Sequence, residues 1–282
     1  MRLSFSRLAK WWECPAKYQE HYEFNLEPLN ADTESLRFGT RAHQLLAEQE
    51  IEHGQLEEPL EAEARALVAG YRGRYPVDDW DLVASEVEFE HALPRRCKPC
   101  GAWVTAEGWC QACDSFTQVH SLKGVIDKLV ILKEPGNPLA VVEFKTERRG
   151  SKRNSLAAWG VKAQASLYYW AVEAIWPERR LDKVVVDILT RCSPAGLKPP
   201  SYTRHEVQRS EQAIAQAVED ANWVGDQIEA MQFHRADAPW PMNREACVNP
   251  TTGWKCEFYE LHAGERAQEL VELKFQQRKE RE

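Results

Sequence analysis

The chain has 282 residues, 43% of them hydrophobic and 28% charged, with a formal net charge of −8. That length fits one large domain with insertions or two modest ones, and the composition can bury a sizeable core. The negative balance excludes a protein that coats nucleic acid by bulk positive charge, though a local basic groove stays compatible with it.

In chain order, residues 4–23 (SFSRLAKWWECPAKYQEHYE) read as helix with a break at Cys14-Pro15, where the proline suits the first turn of a second helix. The opening has no continuous apolar stretch, so no secretory signal is expected, and a cytoplasmic location follows. No run of about 18 apolar residues occurs, so no membrane span is expected either. Residues 35–52 read as a helix with Ser35 as N-cap, and 57–74 as another. LVASEVEFEHAL alternates as a strand does. After a cysteine-rich segment at 95–116, strands over 117–133 and 139–146 flank the turn signal EPGNP. A helix over 156–176 ends near Pro177, DKVVVDILTR is a buried strand, and PPSYTRHEVQ is one more. A long amphipathic helix covers 210–234, followed by a proline- and cysteine-bearing segment at 237–262 and a charged C-terminal helix. This order implies a mixed α/β domain with a central sheet covered by helices.

The hairpin GVIDKLVILKEPGNPLAVVEFKTERRG is apolar enough to be buried, yet carries Asp127, Glu143 and Lys145. Side chains alternate along a strand, so Glu143 and Lys145 share a face, and Asp127 on the partner strand faces Glu143 if the register allows. Charges are rarely buried unless paired or metal-bound. Two carboxylates suit a hard ion such as Mg²⁺ or Mn²⁺, with the Phe144 carbonyl as a further oxygen donor, and a lysine beside them suits an attacking water or a developing negative charge. A plain ion-pair cluster fits the same spacing.

Of the eight cysteines, four lie in CKPCGAWVTAEGWCQAC. Cys97, Cys100, Cys110 and Cys113 form two Cys-x2-Cys knuckles nine residues apart, which suits tetrahedral Zn²⁺ in a ribbon better than disulfides. The insert is either a structural staple or a means of presenting Trp103 and Trp109 to DNA or a partner. Cys192, at the end of a strand, reads as a free buried cysteine.

GVID and VVEFKT resemble motifs of the PD-(D/E)XK nuclease superfamily, especially its RecB-like exonuclease branch, and SFSRLAKWWECPAKY is similar to that branch's opening. Gly39 and His43 in FGTRAHQLL, and Gln164 and Tyr168 in KAQASLYYW, match its helical motifs in the same order. Each of these pairs is one helical turn apart and stacks on one face. The resemblance implies a restriction-endonuclease-like α/β core over 1–94 and 117–282 with the zinc ribbon at 95–116 as an insert. It implies His43 as a further metal ligand beside Asp127, Glu143 and Phe144, with Gln164 and Tyr168 next to the catalytic centre. Glu86 or Glu88, in ASEVEFE, is expected to approach the site. Arg148, Arg149, Lys152 and Arg153 are expected to face the DNA backbone.

Some members of the branch hold a [4Fe–4S] cluster on four cysteines. Cys14, Cys247 and Cys256 resemble three of these, but His262 stands at the fourth place, leaving a cluster, another metal site or simple packing open. The activity implied is metal-dependent DNA hydrolysis, as an exonuclease; an endonuclease, a CRISPR-associated trimming nuclease and a non-catalytic DNA-binding or adaptor protein on the same fold are the alternatives. No G-x-x-x-x-G-K-[ST] motif is present, so unwinding would fall to a separate helicase, with a recombinase or single-strand-binding protein as other candidate partners.

Overall fold

The computed structural model describes residues 1–29, 33–48, 58–76, 79–148, 155–192, 198–235, 238–248, 253, 255–264 and 268–278. Its N-terminal part holds β1 (Arg2–Ser4), α1 (Phe5–Glu13), α2 (Pro15–Tyr18), a π-helical turn over Gln19–Glu23, β2 (Leu26–Pro28), α3 (Thr33–Ala47), α4 (Pro59–Arg74) and β3 (Trp80–Ala92). Next come β4 (Trp109–Cys110), β5 (Ser115–Phe116), β6 (Ser121–Leu132), β7 (Leu139–Glu147), α5 (Leu156–Val161), α6 (Ala163–Ile175), β8 (Lys183–Thr190) and β9 (Ser201–Val207). The chain continues through α7 (Glu211–His234), α8 (Arg244–Cys247), α9 (Tyr259–Ala263), α10 (Gln268–Lys274) and β10 (Phe275–Gln277). Contacts divide it into two compact units: Met1–Asp32, Leu93–Leu122 and Asp220–Glu282 form the first, and Thr33–Ala92 with Lys123–Glu219 the second.

In the second unit β6 and β7 are antiparallel, with Lys128 opposite Val142 and Ile131 opposite Leu139. β7 runs parallel to β8, β8 is antiparallel to β9, and β3 also pairs with β6. This is a mixed sheet flanked by helices, the restriction-endonuclease-like arrangement. Every residue of β8 is buried, as a central strand covered on both faces requires. Phe38, Ala42, Leu45 and Leu46 of α3 and Leu67, Val68 and Tyr71 of α4 pack with Val130, Val142, Phe144, Val185 and Leu189 of the sheet. Each such large apolar side chain stabilises the fold by about 1.5–3 kcal/mol through burial, which fixes α3 against the strands that carry the charged hairpin.

Several element boundaries differ from the sequence reading, among them the start of β6 at Ser121 rather than 117; two differences have a clear physical cause. α3 begins at Thr33, so Ser35 lies inside the first turn rather than capping it; Glu34 is the acidic residue of that turn, where the helix dipole favours it. The helix expected over 156–176 is two helices. Lys162 is extended (φ −65°, ψ 124°), and Arg209 donates to the Trp159 and Lys162 carbonyls at 2.6 and 3.5 Å, satisfying acceptors that the interrupted helix leaves. Cys192 is exposed rather than buried, with Sγ 3.9 Å from Glu63 Oε1.

In the first unit the break at Cys14-Pro15 occurs as expected: Cys14 is extended and Pro15 opens α2. Ser4 Oγ caps α1 by accepting from the Arg7 N–H at 3.3 Å. The chain's late strand β10 pairs with β2, Phe275 opposite Pro28, which the sequence reading lacked. A small core of Leu26, Cys256, Phe258, Leu261 and Phe275 closes this junction, with the Phe258 and Phe275 rings stacked at 5.4 Å. Among the described residues no helix is long and apolar enough to cross a membrane.

Candidate active site

The β6–β7 register sets the centre. Continued by one step from Lys128 and Val142, it places Asp127 opposite Glu143. Asp127 Oδ2 accepts from the Phe144 N–H at 2.8 Å, so a β7 backbone donor holds the carboxylate. The Phe144 ring points into the apolar core, 5.6 Å from Tyr71.

His43 reaches Asp127 from α3, with Nδ1 3.4 Å from Oδ2. One turn earlier on that helix, a Cβ on Gly39 would sit 3.3 Å from Thr146 Oγ1, so the glycine lets β7 approach closely. Burial pulls the His43 imidazole toward its neutral form, but Asp127 outweighs it and raises the pKa above the usual histidine value.

Glu86 completes a cluster in which one ligand atom from each of His43, Glu86 and Asp127 lies within 4.8 Å of the others. It stands in mid-strand β3 with φ +49°, a left-handed backbone that costs a non-glycine residue energy. Of the two candidate glutamates, Glu86 joins this group and Glu88 does not. Burial, and next the Asp127 charge, raise the Glu86 carboxyl above its ordinary range. The cluster opens onto a cleft of ≈ 770 Å³ whose lining includes Ser35, expected only as a helix cap, and Thr40, Gln44, Glu48 and Thr146, which the sequence did not single out. Only their spacing along the His43 helix could have flagged Thr40 and Gln44.

Glu143 is 2% exposed and surrounded by donors. Gln164 Nε2 donates to Oε1 at 3.1 Å, the Tyr168 hydroxyl to Oε2 at 2.5 Å, and Lys145 Nζ forms an ion pair with it. Gln164 also donates to the Tyr168 hydroxyl at 2.8 Å, so the α6 pair braces one carboxylate. Burial alone would favour a neutral Lys145 amine; Glu143 reverses this and holds the ammonium above its ordinary pKa. An imidazole and two carboxylates opposite a third, firmly oriented carboxylate make a donor set that suits a hard divalent ion.

The sequence model of the PD-(D/E)XK nuclease superfamily matches residues 2–258. The chain belongs to that superfamily. Its nucleases use divalent metal ions, and the fold implies a DNA substrate. Among solved structures, a candidate exonuclease from Eubacterium rectale is 14% identical with TM-score 0.49 over 93% of each chain. The protein SSO0001 is 16% identical with TM-score 0.34, over 78% of this chain and 74% of that one. No curated protein matches the chain significantly.

Of the basic run that the superfamily motifs place after Lys145, Arg148 is described, while Arg149, Lys152 and Arg153 lie outside the described residues. The four knuckle cysteines do come together. Cys97 Sγ is 3.4 Å from Cys113 Sγ, Cys100 is 3.4 Å from Cys110, and Cys113 is 3.6 Å from Cys110. A zinc ion with bonds of about 2.3 Å holds its thiolates nearly this far apart. Ser115 Oγ adds hydrogen bonds to Cys97 and Cys113 at 3.3 and 3.0 Å.

Cys14, Cys247 and Cys256 are buried. Asn243 links the first two: its N–H donates to Cys14 Sγ at 3.3 Å and its carbonyl accepts from Cys247 Sγ at 3.4 Å. His262 Nε2 lies 3.6 Å from Glu20 Oε1. Among the described residues these four do not gather within single-ion distance as the ribbon cysteines do.

Proposed function

We propose that the chain is a metal-dependent DNA exonuclease. The observation that carries this reading is the convergence of His43, Glu86 and Asp127 on one point of the β6–β7 hairpin, beside the Glu143–Lys145 pair. His43, Asp127, Glu143 and the Phe144 carbonyl, with Glu86 added from the cluster, would hold one or two Mg²⁺ or Mn²⁺ ions. Bound there, a divalent ion would polarise the phosphate and lower the pKa of the attacking water.

The protein's own groups do the rest. The Phe144 N–H orients Asp127, and Gln164 with Tyr168 orients Glu143. Lys145, paired with Glu143, would act on the attacking water and offset negative charge developing at phosphorus. Arg148, Arg149, Lys152 and Arg153 would meet the phosphate backbone. A separate helicase, recombinase or single-strand-binding protein would act beside it in the cytoplasm.

The deciding assay compares end-labelled single- and double-stranded linear DNA with closed circular DNA, in Mg²⁺, in Mn²⁺ and in EDTA. Degradation of linear DNA alone, abolished by EDTA, is expected. Cleavage of closed circles would make it an endonuclease, and no cleavage with any metal would leave a binding module.

Residues 95–116 would form a zinc ribbon inserted in a nuclease domain of 1–94 and 117–282. About one zinc per chain is expected, from four-thiolate stoichiometry; anaerobically purified protein without zinc would refute it. Iron and sulfide analysis of the same protein separates a [4Fe–4S] site at Cys14, Cys247, Cys256 and His262 from a packed, ion-free one.

A further inference from the structure

The ribbon exposes more aromatic surface than a structural staple needs. Trp109 and Phe116 pair directly across β4 and β5, so their rings share one face, and they are 44% and 61% exposed. Trp103 is 60% exposed and lies under the Arg96 guanidinium, 4.1 Å from the ring centroid. Exposed large aromatics are ordinarily scattered singly, whereas these fall within residues 103–116 of one small module.

The module is firmly rooted. Arg95 before it and His120 after it both grip Asp226 of α7: Arg95 through an ion pair to Oδ2, His120 through Nε2 at 3.2 Å from Oδ1. Gly225 makes room for this clasp, since a Cβ there would lie 2.4 Å from the His120 ring. An aromatic pair held on an anchored hairpin loses little freedom when a flat ligand stacks on it.

Stacking faces select unpaired bases, whose π-surfaces are free, whatever their identity. Arg96, over the Trp103 ring, and Lys98, with a 67% exposed side chain 3.9 Å from Asp226 Oδ2, are cations of the same segment. Glu107 and Asp114 lie in the same segment, so bulk charge does not draw the strand in and stacking must carry the affinity. We propose that Trp109 and Phe116, with Arg96 and Lys98 at the phosphates, form a sequence-independent subsite for the unpaired bases of a single-stranded DNA end. This rests on the nuclease reading, which supplies DNA as the ligand.

The test is fluorescence anisotropy with a labelled oligothymidine of about 15 nucleotides, long enough to cover one single-strand module. The zinc-loaded full chain is used without added Mg²⁺ or Mn²⁺, and a blunt duplex serves as control. The Trp109→Ala/Phe116→Ala variant should bind the oligothymidine about tenfold or more weakly, at unchanged zinc content and nearly unchanged duplex affinity. Trp109→Phe/Phe116→Tyr should restore binding. Should the double alanine variant lose its zinc, each single variant carries the test, with a severalfold loss expected. Equal binding by wild type and double variant at equal zinc overturns the subsite. So does a wild-type dimer that the double variant breaks with oligothymidine binding unchanged, which would give the face to a second copy. The nuclease reading is judged separately, by cleavage of linear DNA by the wild type: cleavage with no binding loss refutes the subsite alone.

Discussion

The protein contains two clusters of the same composition, one histidine with two carboxylates, each drawn within 4.8 Å: His43, Glu86 and Asp127, and His120, Asp226 and Glu229. They differ in where the counter-charge comes from. In the second, Arg95 pairs with Asp226 and Lys98 stands 3.9 Å away, so the protein neutralises its own carboxylate. In the first, no lysine or arginine lies within ion-pair distance of Glu86 or Asp127 among the described residues, and Lys145 is taken by Glu143. Proximity of ligand-type residues therefore says little by itself. The first cluster, on strained backbone at the edge of a cleft and without a lysine or arginine partner among the described residues, is the one the proposed metal would use.

Removing charge from the first cluster, or from the Glu143–Lys145 pair beside it, should have the largest effect. Asp127→Ala and Lys145→Ala are each expected to lower cleavage by at least about 10²–10³-fold, the cost of losing one preorganised electrostatic group, with cooperative unfolding retained. Loss of folding in both would return the hairpin to a plain ion-pair cluster. Mn²⁺ should raise the melting temperature of the wild type, because an ion that binds only the folded state stabilises it, and Asp127→Ala should remove that rise.

Next in size is Asp226→Ala. It strands Arg95, whose side chain is 8% exposed, and should cost about 1–3 kcal/mol, yet leave the Mn²⁺ response intact. If the response vanished instead, the two clusters would have to exchange roles. The pH profile follows from the same contact. Burial works to raise the Asp226 carboxyl, but His120 and Arg95 outweigh it and hold the pKa at about 2, below the ordinary 3.8. A lowered folded-state value means the contribution is complete above 3.8 and fades as pH falls through about 2. Acid unfolding of Asp226→Ala should be flatter over that window.

The smallest effect belongs to Gly225→Ala. Helix propensity alone would favour it by about 1 kcal/mol, but the clash with His120, costing about 1–3 kcal/mol, should outweigh that and leave a net loss of up to about 2 kcal/mol. A stabilised variant would mean the clasp yields freely.

Local pattern made much of this legible. Alternation and the EPGNP turn gave β6 and β7, and their register made the approach of Asp127 to Glu143 a matter of counting. Two cysteine knuckles at ribbon spacing gave the four-sulfur cluster. What stayed hidden is set by contacts distant in sequence. The choice between Glu86 and Glu88 depends on a left-handed residue inside β3 that alternation cannot show. The break at Lys162 depends on Arg209 taking the released carbonyls. The pairing of β2 with β10 joins two three-residue strands, too short for any period to register.

That last pairing has a consequence for how the protein is made. A ribosome delivers residues at about 5–20 per second, and domains tend to fold as their residues emerge. The sheet that carries the candidate active site is complete once β9 has emerged, whereas the first unit cannot close until β10 finds β2. During synthesis Leu26 must therefore wait for Phe275, its late partner in the small core, so premature termination near the 3′ end of the message would leave a finished sheet in the second unit and an unclosed core in the first.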